Sequence, residues 1–114
     1  MKPSRECVES FRNYLVNLVE DYTGDFVGYA LNPEEFEKKP DFEKEGNSLK
    51  LLVLGFMDCL ICQDYIDQGD IKAGAVDACL SAMLKPGSSV KDYQKRKKAY
   101  FKAVDDFCEY LLEQ

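Results

Sequence analysis

Apolar residues recur along this chain with the spacing of amphipathic helices, and no stretch of any length alternates as a strand does. In the first segment they fall at i, i+1, i+4, i+7 and i+8, which places them on one face of a helix. Ser4 is a suitable N-cap and Gly24 a suitable C-cap, so a first helix is predicted between them. Its apolar face consists of Cys7, Val8, Phe11, Tyr14, Leu15, Leu18, Val19 and Tyr22.

A second helix is predicted to begin at Asn47 or Ser48 and to end near Gln68, with Gly69 just beyond it. Its middle is apolar on nearly every side, which is typical of a helix that is buried all round. We therefore expect this helix at the centre of the fold, with the others packed around it. If one of its sides is exposed instead, that side is expected to be an interface.

Two more helices follow. The third is predicted from about Asp70 to Lys85, where Pro86 stops it. The last is capped by Ser88 or Ser89 and is amphipathic over its whole length. Its apolar face carries Val90, Tyr93, Phe101, Val104, Phe107, Cys108 and Leu111.

These four main helices predict an all-α fold, an antiparallel bundle with short connections after the second helix. The exception is the long acidic connection from Gly24 to Gly46. Connections of that length are usually functional or disordered. Residues 32–35 have the pattern of an N-cap followed by Pro at N1 and Glu at N3, which predicts a short helix from Pro33 to about Lys39.

The composition is that of an ordinary globular protein. The 114 residues are 46% hydrophobic and 12% aromatic, which suits a single helical domain, 1–114, with its own core. The most apolar run, Leu51 to Cys62, is too short to span a membrane. The first residues lead into the first helix without the apolar stretch of a secretory signal, and five cysteines, an odd number, suit reduced thiols. We expect a cytoplasmic protein with no membrane partner.

Charge is sorted along the chain. Residues 20–70 hold thirteen Asp and Glu against four Lys, whereas residues 85–102 hold six Lys and one Arg against a single Asp. The net charge of -6 therefore conceals an acidic middle and a basic later stretch. A surface divided in this way can steer a charged partner or pair with a second copy of itself.

The acidic connection is the first candidate site. Its carboxylates are interleaved with large aromatic side chains, a combination suited to a basic and partly apolar surface such as that of a toxin or nuclease. The alternative is a solvated loop whose aromatic residues tuck into the bundle. The carboxylates are Asp25, Glu34, Glu35, Glu37, Asp41, Glu43 and Glu45, and the aromatic residues are Phe26, Tyr29, Phe36 and Phe42.

Further carboxylates lie on the second predicted helix. Asp58 is the single charge between Leu51 and Cys62. Three interpretations are open: it is a functional acid, it is an anchor for a basic side chain of a partner, or it lies on the narrow strip of this helix that is exposed to water. Asp64 and Asp67 continue the acidity toward the predicted C-terminal end, where a carboxylate opposes the helix dipole, and that placement indicates a use beyond helix stability.

A basic stripe lies on the last predicted helix, opposite its apolar face. Like charges at i, i+4 repel by a few tenths of a kcal/mol, so another group is expected to offset them. Pairing with the acidic segment, or solvation, is favoured over phosphate binding, because the pI of about 4.7 is far below that of nucleic-acid-binding domains. Nucleic acid is therefore not an expected partner. The stripe consists of Lys91, Lys95, Lys98 and Lys102.

The spacing of Cys59 and Cys62 is that of the CxxC motif of redox and metal sites. In redox proteins the motif opens a helix, but here it lies inside an apolar one. A zinc site would need two more ligands, and the chain has no histidine. Buried thiols that act as small hydrophobic groups are therefore favoured, with no metal and no cofactor.

The lack of histidine also removes the commonest acid-base and metal chemistry of helical bundles, so we expect no enzyme activity. The leading hypothesis is a cytosolic binding protein that blocks a basic protein partner through an acidic surface, in the manner of an immunity protein, an antitoxin or a phage inhibitor. The first alternative is a self-associating structural or adaptor bundle, with a homodimer as the simplest form. The second is a thiol redox or metal-binding bundle.

Overall fold

A computed structural model of the protein describes residues 2–113. Four α-helices run α1 (Arg5–Leu31), α2 (Phe42–Cys62), α3 (Ile71–Met83) and α4 (Val90–Glu113), with a single 3-10 turn at Pro33–Glu35. Within the described part of the chain there is no strand. Successive helices pack side by side as an elongated bundle measuring 49 × 23 × 22 Å. The predicted all-α antiparallel bundle is confirmed.

The central helix is α4, not α2 as predicted. Helix α4 packs most extensively against α3 and α1. The fully buried side chains that it supplies include Tyr93, Tyr100 and Phe107. Helix α2 makes fewer contacts and leaves Leu51 and Leu52 exposed by 70% and 48%. Large apolar side chains on one face of α4 build a deeper core than apolar residues spread around α2, because only one face of either helix can be covered by its neighbours.

Two tyrosine hydroxyls join α4 to α1. The Tyr100 hydroxyl donates to the carbonyl oxygen of Leu15 at 2.7 Å. Thr23 Oγ1 donates to the carbonyl oxygen of Val19 at 2.7 Å and lies 2.6 Å from the Tyr93 hydroxyl, which therefore acts as the donor of that second bond. Both tyrosines are almost wholly buried, so these bonds satisfy polar groups that would otherwise destabilise the core.

Helix α1 continues past Gly24 to Leu31, and the prediction that it ends at Gly24 is wrong. The cause is aromatic packing beyond the glycine. Phe26 lies against Tyr93 with ring centroids 4.7 Å apart and stacks on Tyr22 at 6.0 Å. A glycine in a helix costs about 1 kcal/mol relative to alanine, which this packing readily offsets.

The connection between α1 and α2 is correspondingly short, covering residues 32–41 rather than 24–46. Helix α2 begins at Phe42, because the Asp41 side chain accepts a hydrogen bond from the backbone N–H of Lys44 at 3.1 Å. Gly46 lies inside α2, buried against Leu84 of the α3–α4 connection. The predicted short helix is only the 3-10 turn, and Asn32 provides no side-chain cap.

The predicted starts of α3 and α4 are correct, whereas the predicted end of α2 is wrong. Asp70 caps α3 by accepting from the backbone N–H of Ala73 at 2.9 Å, and Ser89 caps α4 by accepting from that of Asp92 at 3.1 Å. Helix α2, however, ends at Cys62, well before Gln68. The following turn contains Asp64 with a positive φ of 61°, so the helix cannot continue through it.

The continuity of α1 predicts that Gly24→Ala stabilises the protein. A Cβ at this exposed helical position would meet no atom within 4 Å, so the free energy of unfolding should rise by about 0.5–1 kcal/mol. Gly87→Ala is the matched control, because its φ of +80° is strained for alanine and the variant should lose about 1 kcal/mol. Urea denaturation measures both. A loss of stability in Gly24→Ala would mean that Gly24 ends the helix.

Candidate functional site

Seven of the predicted carboxylates lie together at one end of the bundle. Asp25 belongs to α1, Glu34 and Glu35 to the 3-10 turn, and the others to the connection and the first turn of α2. All are exposed except Glu45, which is partly buried. Among the residues that the structure describes, none of them forms an ion pair within 4 Å. We name this surface the acidic end; it comprises Asp25, Glu34, Glu35, Glu37, Asp41, Glu43 and Glu45.

The aromatic side chains of the connection pack into the bundle, as the alternative interpretation expects. Phe36 covers Gly28 of α1 and meets the Tyr29 ring edge-on at 5.6 Å. Phe42 packs edge-on against Phe26 at 5.4 Å and Tyr22 at 5.8 Å. Tyr29, Phe36 and Phe42 all remain half-buried. Their contacts therefore hold the connection in place while part of each ring stays accessible.

Three predicted partner-binding carboxylates lie elsewhere. Asp58 is exposed on the outer side of α2, and Asp64 and Asp67 lie in the α2–α3 connection, at the opposite end of the bundle from the acidic end. The prediction that Asp64 and Asp67 oppose the dipole of the second helix from within its last turn is wrong, because α2 has already ended at Cys62. The structure therefore separates these three from the seven carboxylates of the acidic end.

The four lysines of the basic stripe are exposed on α4, as predicted. Lys102 forms an ion pair with Asp106 at 3.1 Å. Within residues 2–113, Lys91, Lys95 and Lys98 have no carboxylate within 4 Å. The repulsion among these three is therefore not offset by an ion pair inside the protein.

The expectation that the CxxC thiols are buried is wrong, because Cys59 and Cys62 are both exposed and free. They lie on the outer side of α2, which the central position predicted for this helix would have covered. Cys108 is the buried thiol, and burial, with a smaller contribution from Asp105, raises its pKa to about 11. Among the described residues, no group of three or more Cys, Asp or Glu side chains is placed to hold a metal ion.

A groove between α1, the connection and α2 was not predicted. Its volume is about 630 Å³, and its apolar lining includes Leu18, Leu49 and Leu52. Asp21, Asp25, Asp41 and Glu45 also line it, as do three lysines. The excess of leucine at positions 51, 52 and 54 indicates an exposed apolar side of α2, but no local pattern in the sequence shows which residues face Leu52 across the groove.

Glu45 is the partly buried carboxylate among those that line this groove. Its Oε2 atom is buried and has no hydrogen-bond partner among the described residues. Burial raises the pKa of Glu45 above its ordinary value, and repulsion from Asp25 and Asp41 adds to the effect. The pKa of Tyr22 rises to about 12 through burial, then through Tyr93 and Glu45. Glu45, Asp25 and Asp41 therefore repel one another beside an apolar surface.

In the described part of the chain, the longest apolar stretches of the helices fall short of what crossing a bilayer requires. Comparison of the chain with protein-family models, characterised proteins and solved structures finds no match.

The environment of Glu45 predicts a pH-dependent effect of Glu45→Gln. Because the pKa is raised by folding, the ionised side chain destabilises the folded state above that pKa, and the effect disappears as the pH falls below about 4.3, the ordinary value for Glu. Glu45→Gln should therefore raise the free energy of unfolding at pH 7 and leave it unchanged near pH 4. Urea denaturation at several pH values measures the difference.

Glu43→Gln is the control, because Glu43 lies in the same first turn of α2 but is exposed. It should give no gain at pH 7, and a small loss is expected from the weaker interaction with the helix dipole. Equal effects of the two variants, or a gain from Glu45→Gln that persists at pH 4, would contradict the assignment.

Proposed function

We propose that this chain is a non-enzymatic, cytoplasmic binding protein that covers a basic surface of a protein partner with its acidic end. The observation that carries this proposal is the cluster of exposed carboxylates at the acidic end, none of which forms an ion pair with another residue in the described range 2–113. Charges left unpaired in the free protein are available to attract a partner of opposite sign and to accelerate its association. The mode of action is that of an immunity protein, an antitoxin or a phage-encoded inhibitor, which block a target by occlusion.

The anchoring of the connection supports the same proposal. Phe36 and Phe42 hold residues 32–41 against α1, so the carboxylates of this segment have little conformational freedom to lose when a partner binds. Binding surfaces that are ordered in advance avoid part of the entropic cost of association. The half-buried rings of Tyr29, Phe36 and Phe42 also offer apolar contacts next to the charges.

Reversal of three carboxylates should abolish binding without unfolding the bundle. Affinity capture from a lysate of the source cells should retain one stoichiometric basic protein at low salt and release it at high salt. The triple variant Glu34→Lys, Glu35→Lys, Glu37→Lys should not retain it. With the purified partner, the association rate constant should fall about tenfold or more in this variant, because the charges act mainly on the rate of encounter.

The control is Glu9→Lys, Glu109→Lys, Glu113→Lys, which makes the same change in charge at the opposite end of the bundle. It should retain the partner, and both variants should unfold at the same urea concentration as the original protein. Equal capture by the two triple variants, or capture that does not depend on salt, would contradict the proposal.

A second candidate is a self-associating adaptor, in which the acidic end of one copy meets the basic stripe of another. The exposed lysines Lys91, Lys95 and Lys98, which have no ion pair among residues 2–113, favour it. It predicts a homodimer that dissociates as salt is raised and that is lost on reversal of these three lysines to Glu. Sedimentation velocity measures the oligomeric state, and a monomer at low salt and high protein concentration would exclude this candidate.

A further inference from the structure

Helix α1 packs less closely against α2 than against α4. The groove of about 630 Å³ lies along the boundary between α1 and α2. Its apolar lining varies in exposure, since Leu49 is buried, Leu18 is half-buried and Leu52 is 48% exposed. Folding therefore leaves apolar surface here that water covers in the free protein.

The apolar surface continues along both helices. One turn before Leu18 on α1 lies Tyr14, which is 40% exposed, and one turn after Leu52 on α2 lies Phe56. The two rings pack together with centroids 5.0 Å apart. From Tyr14 to Asp25 the surface extends about 16 Å along α1, or about three helical turns. This length suits a short helix with apolar side chains on successive turns.

The charges beside this surface are unevenly distributed: the α1 edge carries carboxylates alone, whereas the connection and the start of α2 carry Asp41 and Glu45 among the lysines. Asp21 and Asp25 lie on α1, and Glu45 is close enough to Asp25 for their repulsion to perturb it. The ammonium groups of the groove belong to Lys38, Lys39 and Lys44, on the connection and α2. No ion pair within 4 Å joins the two sets in the described residues. A uniformly basic segment would be repelled by the lysines, whereas one with basic residues along a single edge matches the arrangement.

We propose that this α1–α2 groove receives an amphipathic helix of the basic partner. The apolar stripe of that helix packs on Leu18, Leu49 and Leu52, and its Lys or Arg side chains lie along the α1 edge, within reach of Asp21 and Asp25. This inference depends on the proposed function and specifies which part of the partner makes the contact.

A phage-displayed library of peptides about 18 residues long, with positions randomised among Leu, Lys, Glu and Ala, provides a direct probe. Selection on the full chain should enrich sequences with Leu on one helical face and Lys on one edge of it. Fluorescence anisotropy of an enriched peptide then gives its affinity for variants of the groove. Leu52→Glu, and separately the pair Asp21→Lys and Asp25→Lys, should each weaken binding about tenfold or more.

Two matched controls separate the groove from general effects. Leu31→Glu places the same charge on a leucine that is 67% exposed at the end of α1 and does not line the groove. The pair Glu9→Lys and Glu109→Lys matches the double reversal in charge. Both controls should bind the peptide within about twofold of the original protein.

The inference is overturned if the enriched peptides lack an amphipathic pattern, or if the groove variants bind them as well as the controls do. It is also overturned if no peptide is enriched and Leu52→Glu converts a dimer to a monomer, because a second copy would then occupy the groove. Failure of the groove inference can be distinguished from failure of the proposed function. If a captured partner is lost from the Glu34, Glu35 and Glu37 reversal but kept by both groove variants, the function stands and only the groove inference fails.

Discussion

The packing of Phe26 and Tyr22 on Tyr93 holds the C-terminal part of α1 against the central helix. It joins α1 to the central helix beyond the glycine at which α1 would otherwise end. Because α1 then continues for two more turns, the connection to α2 is short. Phe42, the first residue of α2, completes the same cluster by meeting Phe26 edge-on. This aromatic cluster thus carries α1 past Gly24 and holds the first residue of α2, and with it the segment between the two helices.

The position of the connection determines where its carboxylates lie. The carboxylates of the connection would be spread over a long mobile loop if α1 ended early. Instead they lie at one end of the bundle, on a turn and two helix ends that the aromatic residues hold. The same geometry brings Glu45 of α2 near Asp25 of α1 and raises the pKa of Glu45, through burial first and then through this repulsion. The aromatic core therefore stabilises the fold and, at the same place, concentrates negative charge.

The existence of the four helices could be predicted from periodicity, and two of the caps, Ser4 and Ser89, could be predicted from residue type. The boundaries at Gly24 and Gly46 could not, because a glycine indicates a helix end only when no distant contact favours continuation. The position of α2 was mispredicted because its overall hydrophobicity is high. The core forms instead around α4, whose apolar residues are concentrated on one face. The groove was missed because it requires Leu18 and Leu52 to be neighbours, which local patterns do not contain.

Amide hydrogen exchange of the free protein at residues 25–31 distinguishes a continuous α1 from one that ends at Gly24, since protection there requires the helix to continue. We expect slow exchange that is lost only with unfolding of the bundle, as for the amides around Leu15 and Val19, because both regions pack against α4. Exchange at residues 25–31 as fast as that of an unstructured chain would contradict it. The acidic end would then be a mobile loop rather than a surface formed before a partner binds.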